Sequence, residues 1–76
     1  MELNDFIQNF AEQFDETPAE DFNANTLFKE LDDWSSLVAL SVISMIDEEY
    51  EVTLKSDDMK AANTVGELFE IVKAKL

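Results

Sequence analysis

Apolar residues recur at spacings of three and four along most of this chain, the period of a helix with one buried face. Leu3, Phe6, Ile7, Phe10 and Phe14 share one side of a first segment, and Asn4, Asp5, Gln8, Asn9, Glu12 and Gln13 fill the other. The pattern predicts a helix over residues 3–14. Thr17-Pro18 closes it, because a proline pushes the preceding residue out of the helical region. Residues 16–34 then form a link longer than most interhelical connections. Phe22, Leu27, Phe28, Leu31 and Trp34 tie this link to the core, with a short helical turn around Leu27–Leu31 and Trp34 plugging one end of the bundle.

The second helix is predicted over Ser36–Glu49. At about 100° per residue, Ala39, Val42, Ile43, Ile46 and Tyr50 form its buried face, opposite Ser41, Ser44 and Glu48. Leu37 projects from the outer face, with Val38 and Met45 at its margin. Leu37 beside Ser36 is an apolar spot of the kind that docks partners, or it folds back on the preceding loop; periodicity alone does not separate the two.

Val52-Thr53-Leu54 is too short for a strand and reads as an extended loop that buries Val52 and Leu54. Ser56 reads as the cap of a short helix over Asp57–Ala61, with Asp57 and Asp58 at its positive end. Thr64-Val65-Gly66-Glu67 is a capping box opening the last helix. Val65, Leu68, Phe69, Val72 and Leu76 make that helix's inner stripe, and Gly66 in its first turn marks a close approach of a neighbour. The sum is an all-α fold, a small four-helix bundle of three main helices and one short one, with a long loop between helices 1 and 2.

The length of 76 residues suits a single domain over 1–76, and 46% apolar content suits a globular one. Charge changes the picture most. Eighteen acids against five lysines leave a net charge of −13, of which residues 1–40 hold −9. Such a field repels nucleic acid and anionic lipid, attracts basic protein surfaces, and destabilises the compact state by self-repulsion. The absence of cysteine and histidine removes disulfides, thiolate sites and any Ser-His-Asp arrangement. Paired acids such as Asp32-Asp33 form no proper calcium loop, and Asp21-Phe22-Asn23-Ala24-Asn25 has Thr26 where such a loop needs glycine. No metal site and no catalytic cleft is expected. The start carries no signal-peptide pattern and the longest apolar run is Leu37–Leu40, so a cytoplasmic monomer without membrane insertion is expected.

One segment points further. Phe28-Lys29-Glu30-Leu31-Asp32-Asp33-Trp34-Ser35-Ser36-Leu37 resembles the acyl and peptidyl carrier protein family, in which an acidic loop ends in Asp-Ser-Leu at the start of the second helix. The likeness continues through Asp47-Glu48-Glu49-Tyr50, Ala61-Ala62-Asn63 and Thr64-Val65-Gly66-Glu67-Leu68. It implies that Ser36 carries 4'-phosphopantetheine donated from coenzyme A, and that the chain is a non-catalytic acyl carrier for fatty-acid, polyketide or related biosynthesis. Implied partners are a phosphopantetheinyl transferase and acyl-transferring, ketosynthase or ligase enzymes with basic docking surfaces. The implied docking set is Leu37, Asp32, Asp33, Val38, Ser41, Met45, Asp47 and Glu48. Three departures from the family pattern stand out: Ser35 replaces the usual aspartate, the loop from Leu31 to Ser36 is one residue longer than the typical form, and the second helix has fewer carboxylates, which implies partners less dependent on salt bridges to it.

Two questions stay open at this level. Ser36 is an attachment point or a plain first-turn serine of an unmodified acidic interaction module. Phe6, Phe10, Phe28, Val42, Ile43, Ile46, Leu54, Ala61, Phe69 and Val72 either line a shelter for an acyl chain or make a filled core.

Overall fold

A computed structural model describes residues 1–76 and contains four α-helices and no strand. They are α1 (Leu3–Ala11), α2 (Ser36–Tyr50), α3 (Ser56–Ala61) and α4 (Val65–Ala74). Single 3₁₀ turns at Ala19–Asp21 and Phe28–Glu30 punctuate the long α1–α2 loop. α1 packs on α4 and α2, and α3 packs on α4. The expected bundle of three main helices and one short one is the observed fold.

The first helix stops at Ala11 rather than Phe14. Its last turn tightens instead of breaking off: the Gln13 N–H donates to the Phe10 carbonyl at 3.1 Å and the Phe14 N–H to the Ala11 carbonyl at 3.0 Å. Bonds between residues three apart are a common way for a helix to finish, and this turn still delivers Phe14 to the core. Phe6 and Phe10 have no exposed surface, and Leu3 and Ile7 pack at the core's edge. The Phe10 ring centre lies between 5.2 and 6.3 Å from those of Phe6, Phe14, Phe22 and Phe28. It meets Phe22 and Phe28 near edge-on, at 66° and 70°, the arrangement that the charge distribution of aromatic rings favours. Trp34, half-buried, extends the chain of rings by packing edge-on against Phe28 and stacking on Phe14.

The loop is also held by backbone. The first N–H groups of a helix have no intrahelical acceptor. In α4 the Val65 and Gly66 N–H groups donate to the loop carbonyls of Thr26 and Ala24, at 3.2 and 2.9 Å. The Thr64 hydroxyl accepts from the Glu67 N–H, and the Glu67 carboxylate accepts from the Asn63 and Thr64 N–H groups, completing the capping box. Gly66 is required by this contact, because a Cβ there would sit 2.9 Å from the Ala24 carbonyl oxygen.

Several expectations need correcting. The buried stripe of α2 is Val42, Met45 and Ile46, and Ile43 is only half-buried. The helix is thus rolled toward α1, which takes Met45 inward and turns Ile43 toward α3. Ser56 is the first residue of α3 and not its cap; the Lys55 N–H is bound by the Asp58 carboxylate at 2.9 Å. That hydrogen bond, helped by Lys75 at 3.4 Å, holds the Asp58 carboxyl below the usual aspartate range. Leu76 lies beyond the end of α4 and is exposed. Val52 and Leu54 are buried from an extended segment, as expected. That segment follows Glu51, which ends α2 in the left-handed conformation at φ 56°.

The core is filled. Phe6, Phe10, Phe28, Val42, Ile46, Leu68, Val65 and Val72 are fully buried against one another, Ala61 faces outward, and every depression of the molecule lies open on its surface. An added methyl at position 66 tests the loop–α4 contact. Alanine improves helix propensity by about 1 kcal/mol over glycine, but here it must displace backbone, for which overpacking costs about 1–3 kcal/mol. Gly66→Ala is therefore expected to destabilise the fold in urea denaturation, opposite to the sign that helix propensity alone gives.

Candidate functional site

The start of α2 is fixed from both directions. Ser35, in extended conformation, accepts the Val38 N–H on its hydroxyl at 3.2 Å, so it caps the helix in place of an aspartate. Its carbonyl accepts the first helical bond, from Ala39, at 2.9 Å. Upstream, Asp33 is a latch. Its carboxylate accepts the Thr17 hydroxyl at 2.7 Å, the Glu16 N–H at 3.1 Å and the Thr17 N–H at 3.2 Å. The Thr17 hydroxyl bond, joined by the two backbone bonds, outweighs partial desolvation and holds the Asp33 carboxyl below its ordinary value. Asp33, expected as a charge for partners, thus has its oxygens committed to joining the two ends of the long loop.

Ser36 stands exposed as the first residue of α2. It lines an open groove between α2 and α3 of about 440 Å³, with Lys29, Trp34, Ala39, Ile43, Ser56, Met59 and Lys60. Leu37, one step round the helix, faces the other way. It is 74% exposed and lines a groove between α1 and α2 with Leu40, Ser41, Ser44, Met45 and Glu48, walled by Asn9, Glu12 and Gln13. Leu37 does not fold back on the preceding loop.

The expected docking residues therefore divide. Leu37, Ser41 and Glu48 share the α1–α2 groove. Met45 contributes only to its floor, being 6% exposed, because the roll of α2 buries it. Val38 is half-buried against the core. Asp47 is exposed elsewhere on α2, and Asp32 and Asp33 line a separate acidic depression with Glu16 and Asp21. Sequence reasoning missed Leu40, which is 61% exposed beside Leu37. Its position three residues after Leu37 was a signal that could have found it. It also missed Lys29 and Lys60 at Ser36, which no spacing reveals, since they arrive from the loop and from α3.

No group of three or more acidic side chains is gathered closely enough to hold a metal ion, and no helix is long and apolar enough to cross a membrane. With this geometry in view, the comparison with protein families is specific. Residues 4–72 match the model of the phosphopantetheine attachment site family. The chain belongs to that family, that of the acyl and peptidyl carrier proteins, and has its non-catalytic carrier role. No curated protein and no solved structure gives a significant match.

The latch has a pH signature. Because the folded carboxyl of Asp33 titrates below its ordinary 3.8, its contribution is fully present above that value and is lost as the pH falls through the lowered one. Asp33→Asn keeps the shape and removes the charge. The stability difference between wild type and Asp33→Asn in urea is expected to be present at about pH 6 and to close toward about pH 2. A difference that is the same at every pH would show that the charge plays no part.

Proposed function

We propose that Ser36 carries a covalent 4'-phosphopantetheine arm, and that the chain presents acyl groups to partner enzymes of fatty-acid, polyketide or related biosynthesis. The observation that carries this reading is the placement of Ser36. It is an exposed hydroxyl, on the first residue of a helix whose start is fixed by Ser35, inside the region that matches the attachment family. The α2 start suits an anionic ester at this position, because the Ser36 and Leu37 N–H groups have no intrahelical acceptor.

Ser36 serves as a substrate. With no histidine in the chain, the base that removes its proton belongs to the transferase. The Ser36 oxygen bonds to the pantetheine-side phosphorus of coenzyme A, the phosphoanhydride bond breaks, and adenosine 3',5'-bisphosphate departs. When bound, the arm supplies a terminal thiol on which an acyl group is held as a thioester. Tethering at Ser36 raises the concentration of that group at each partner's active site.

The same reading assigns docking to the α1–α2 groove. Leu37 and Leu40 form an apolar centre, and Glu12, Glu48 and Glu49 form a negative rim, complementary to the basic surfaces of a phosphopantetheinyl transferase and of acyl-transferring, ketosynthase or ligase enzymes. Ser41 lies within this patch, with Asp32 and Asp47 as outlying charges. A cytoplasmic monomer accompanies this reading.

Co-expression with a broad-specificity phosphopantetheinyl transferase, followed by intact-mass measurement, is expected to add one phosphopantetheinyl group. The gain should vanish in Ser36→Ala and survive in Ser35→Ala. No gain with several transferases would sink the proposal in favour of an unmodified interaction module, and the reverse pattern would move the site to Ser35. For docking, Leu37→Glu is expected to lower the transferase's kcat/KM by about tenfold or more, as loss of an interface hot spot does, while leaving the melting temperature nearly unchanged.

A further inference from the structure

Three consecutive residues lead into Ser36, and each is held by a different partner. Asp33 accepts the Thr17 hydroxyl at 2.7 Å and the Glu16 and Thr17 N–H groups at 3.1 and 3.2 Å. Trp34 stacks on Phe14, with ring centres 6.1 Å apart, and meets Phe28 edge-on at 5.0 Å. Ser35 accepts the Val38 N–H on its hydroxyl. The first two restraints grip one short stretch, since Phe14, Glu16 and Thr17 belong to the tightened turn that ends α1 or follow it directly. Glu12 and Gln13, which wall the groove of Leu37 and Leu40, lie just before that stretch. Asp33-Trp34 therefore clamps the end of α1 to the start of α2. None of Glu16, Thr17 and Asp33 belongs to the buried core.

We infer that Asp33 and Thr17 are positioning residues for the loading of Ser36: their contact holds the hydroxyl at a fixed place relative to the α1–α2 groove, where the transferase docks. The inference rests on the attachment and the docking proposed above. Ser36 is the first residue of α2, the part of a helix that frays. Only Trp34 and Ser35 separate it from Asp33, so a shift at the latch reaches Ser36 with little slack. During loading the Ser36 oxygen bonds to the pantetheine-side phosphorus, its proton passes to the transferase's base, and adenosine 3',5'-bisphosphate leaves. The attacking and leaving oxygens must lie roughly in line. The transferase aims its coenzyme A at Ser36 through its grip on both walls of the groove. A misplacement of about 1 Å between grip and reacting atom can cost about a hundredfold in rate. The latch keeps the α1 wall and Ser36 in one frame.

The test follows loading by a broad-specificity transferase through intact mass against time, over a series of carrier concentrations, which gives kcat and KM with the carrier as substrate. In D33A, kcat is expected to fall about ten- to a hundredfold. KM should stay within about twofold of wild type, the pattern of lost orientation and retained docking. T17V, which keeps the two backbone bonds to Asp33, should show a smaller fall in kcat. T17S, which keeps the hydroxyl, should load at the wild-type rate. Loss of stability alone gives the opposite pattern, because an unfolded fraction dilutes the substrate, raises KM and leaves kcat unchanged. That pattern, or wild-type kinetics in D33A and T17V, overturns the positioning role and leaves attachment at Ser36 standing. If circular dichroism shows D33A unfolded, T17V against T17S decides the question. No mass gain in the wild type overturns attachment and positioning together.

Discussion

Packing around the Phe10 ring is the constraint on which the rest of the molecule depends. Phe10 is fully buried from the middle of α1 and touches Phe6 and Phe14 from its own segment and Phe22 and Phe28 from the long loop. A loop of this length has a large conformational entropy to lose. Edge-on aromatic contacts at two separated points confine it, and the α4 N–H groups bind its carbonyls between those points. Phe28 in turn positions Trp34, and the Asp33 latch sets the last turn before α2. The exposed position of Ser36 is thus the downstream result of a buried ring on another helix.

Charge acts at a different level. A net charge of −13 opposes compaction, and some of the acids offset this by serving the backbone. Asp33, Asp58 and Glu67 each accept backbone N–H groups. The remaining carboxylates leave different signs of surface on the two sides of α2. One side combines exposed leucines with a negative rim, and the other combines an apolar groove with two lysines. Consecutive helix positions, about 100° apart, let Ser36 and Leu37 address these two surfaces separately. On the proposed reading, with the arm at Ser36 and docking at Leu37, this separation leaves the attachment point free while a partner holds the domain.

Much of this was legible in the residues themselves. Periodicity placed α1, α2 and α4, because each buries a stripe that repeats at the helical period; α3, which buries only Met59, was placed by the acids of its first turn. The capping box at Thr64 was legible because it is local, set by side chains within three residues; Gly66 signalled a close approach, but that the neighbour is Ala24 of the long loop follows only from the tertiary structure. The resemblance around Ser36 identified the family that the match over residues 4–72 establishes.

What the sequence determined by itself, then, was the element order, the acidic character and the serine at the start of α2. Tertiary structure alone decided the roll of α2, since periodicity defines an apolar face but the neighbouring helix selects which edge of it is covered; α1 covers Met45 and leaves Ile43 toward α3. It also decided that Asp33 is a latch, because its partners Glu16 and Thr17 are distant in sequence, and that the six phenylalanines fill the core. The surroundings of Ser36 belong to the same class. Lys29, Trp34, Met59 and Lys60 reach it from the loop and α3, and contacts between segments so far apart in the chain exist only after the core has brought them together.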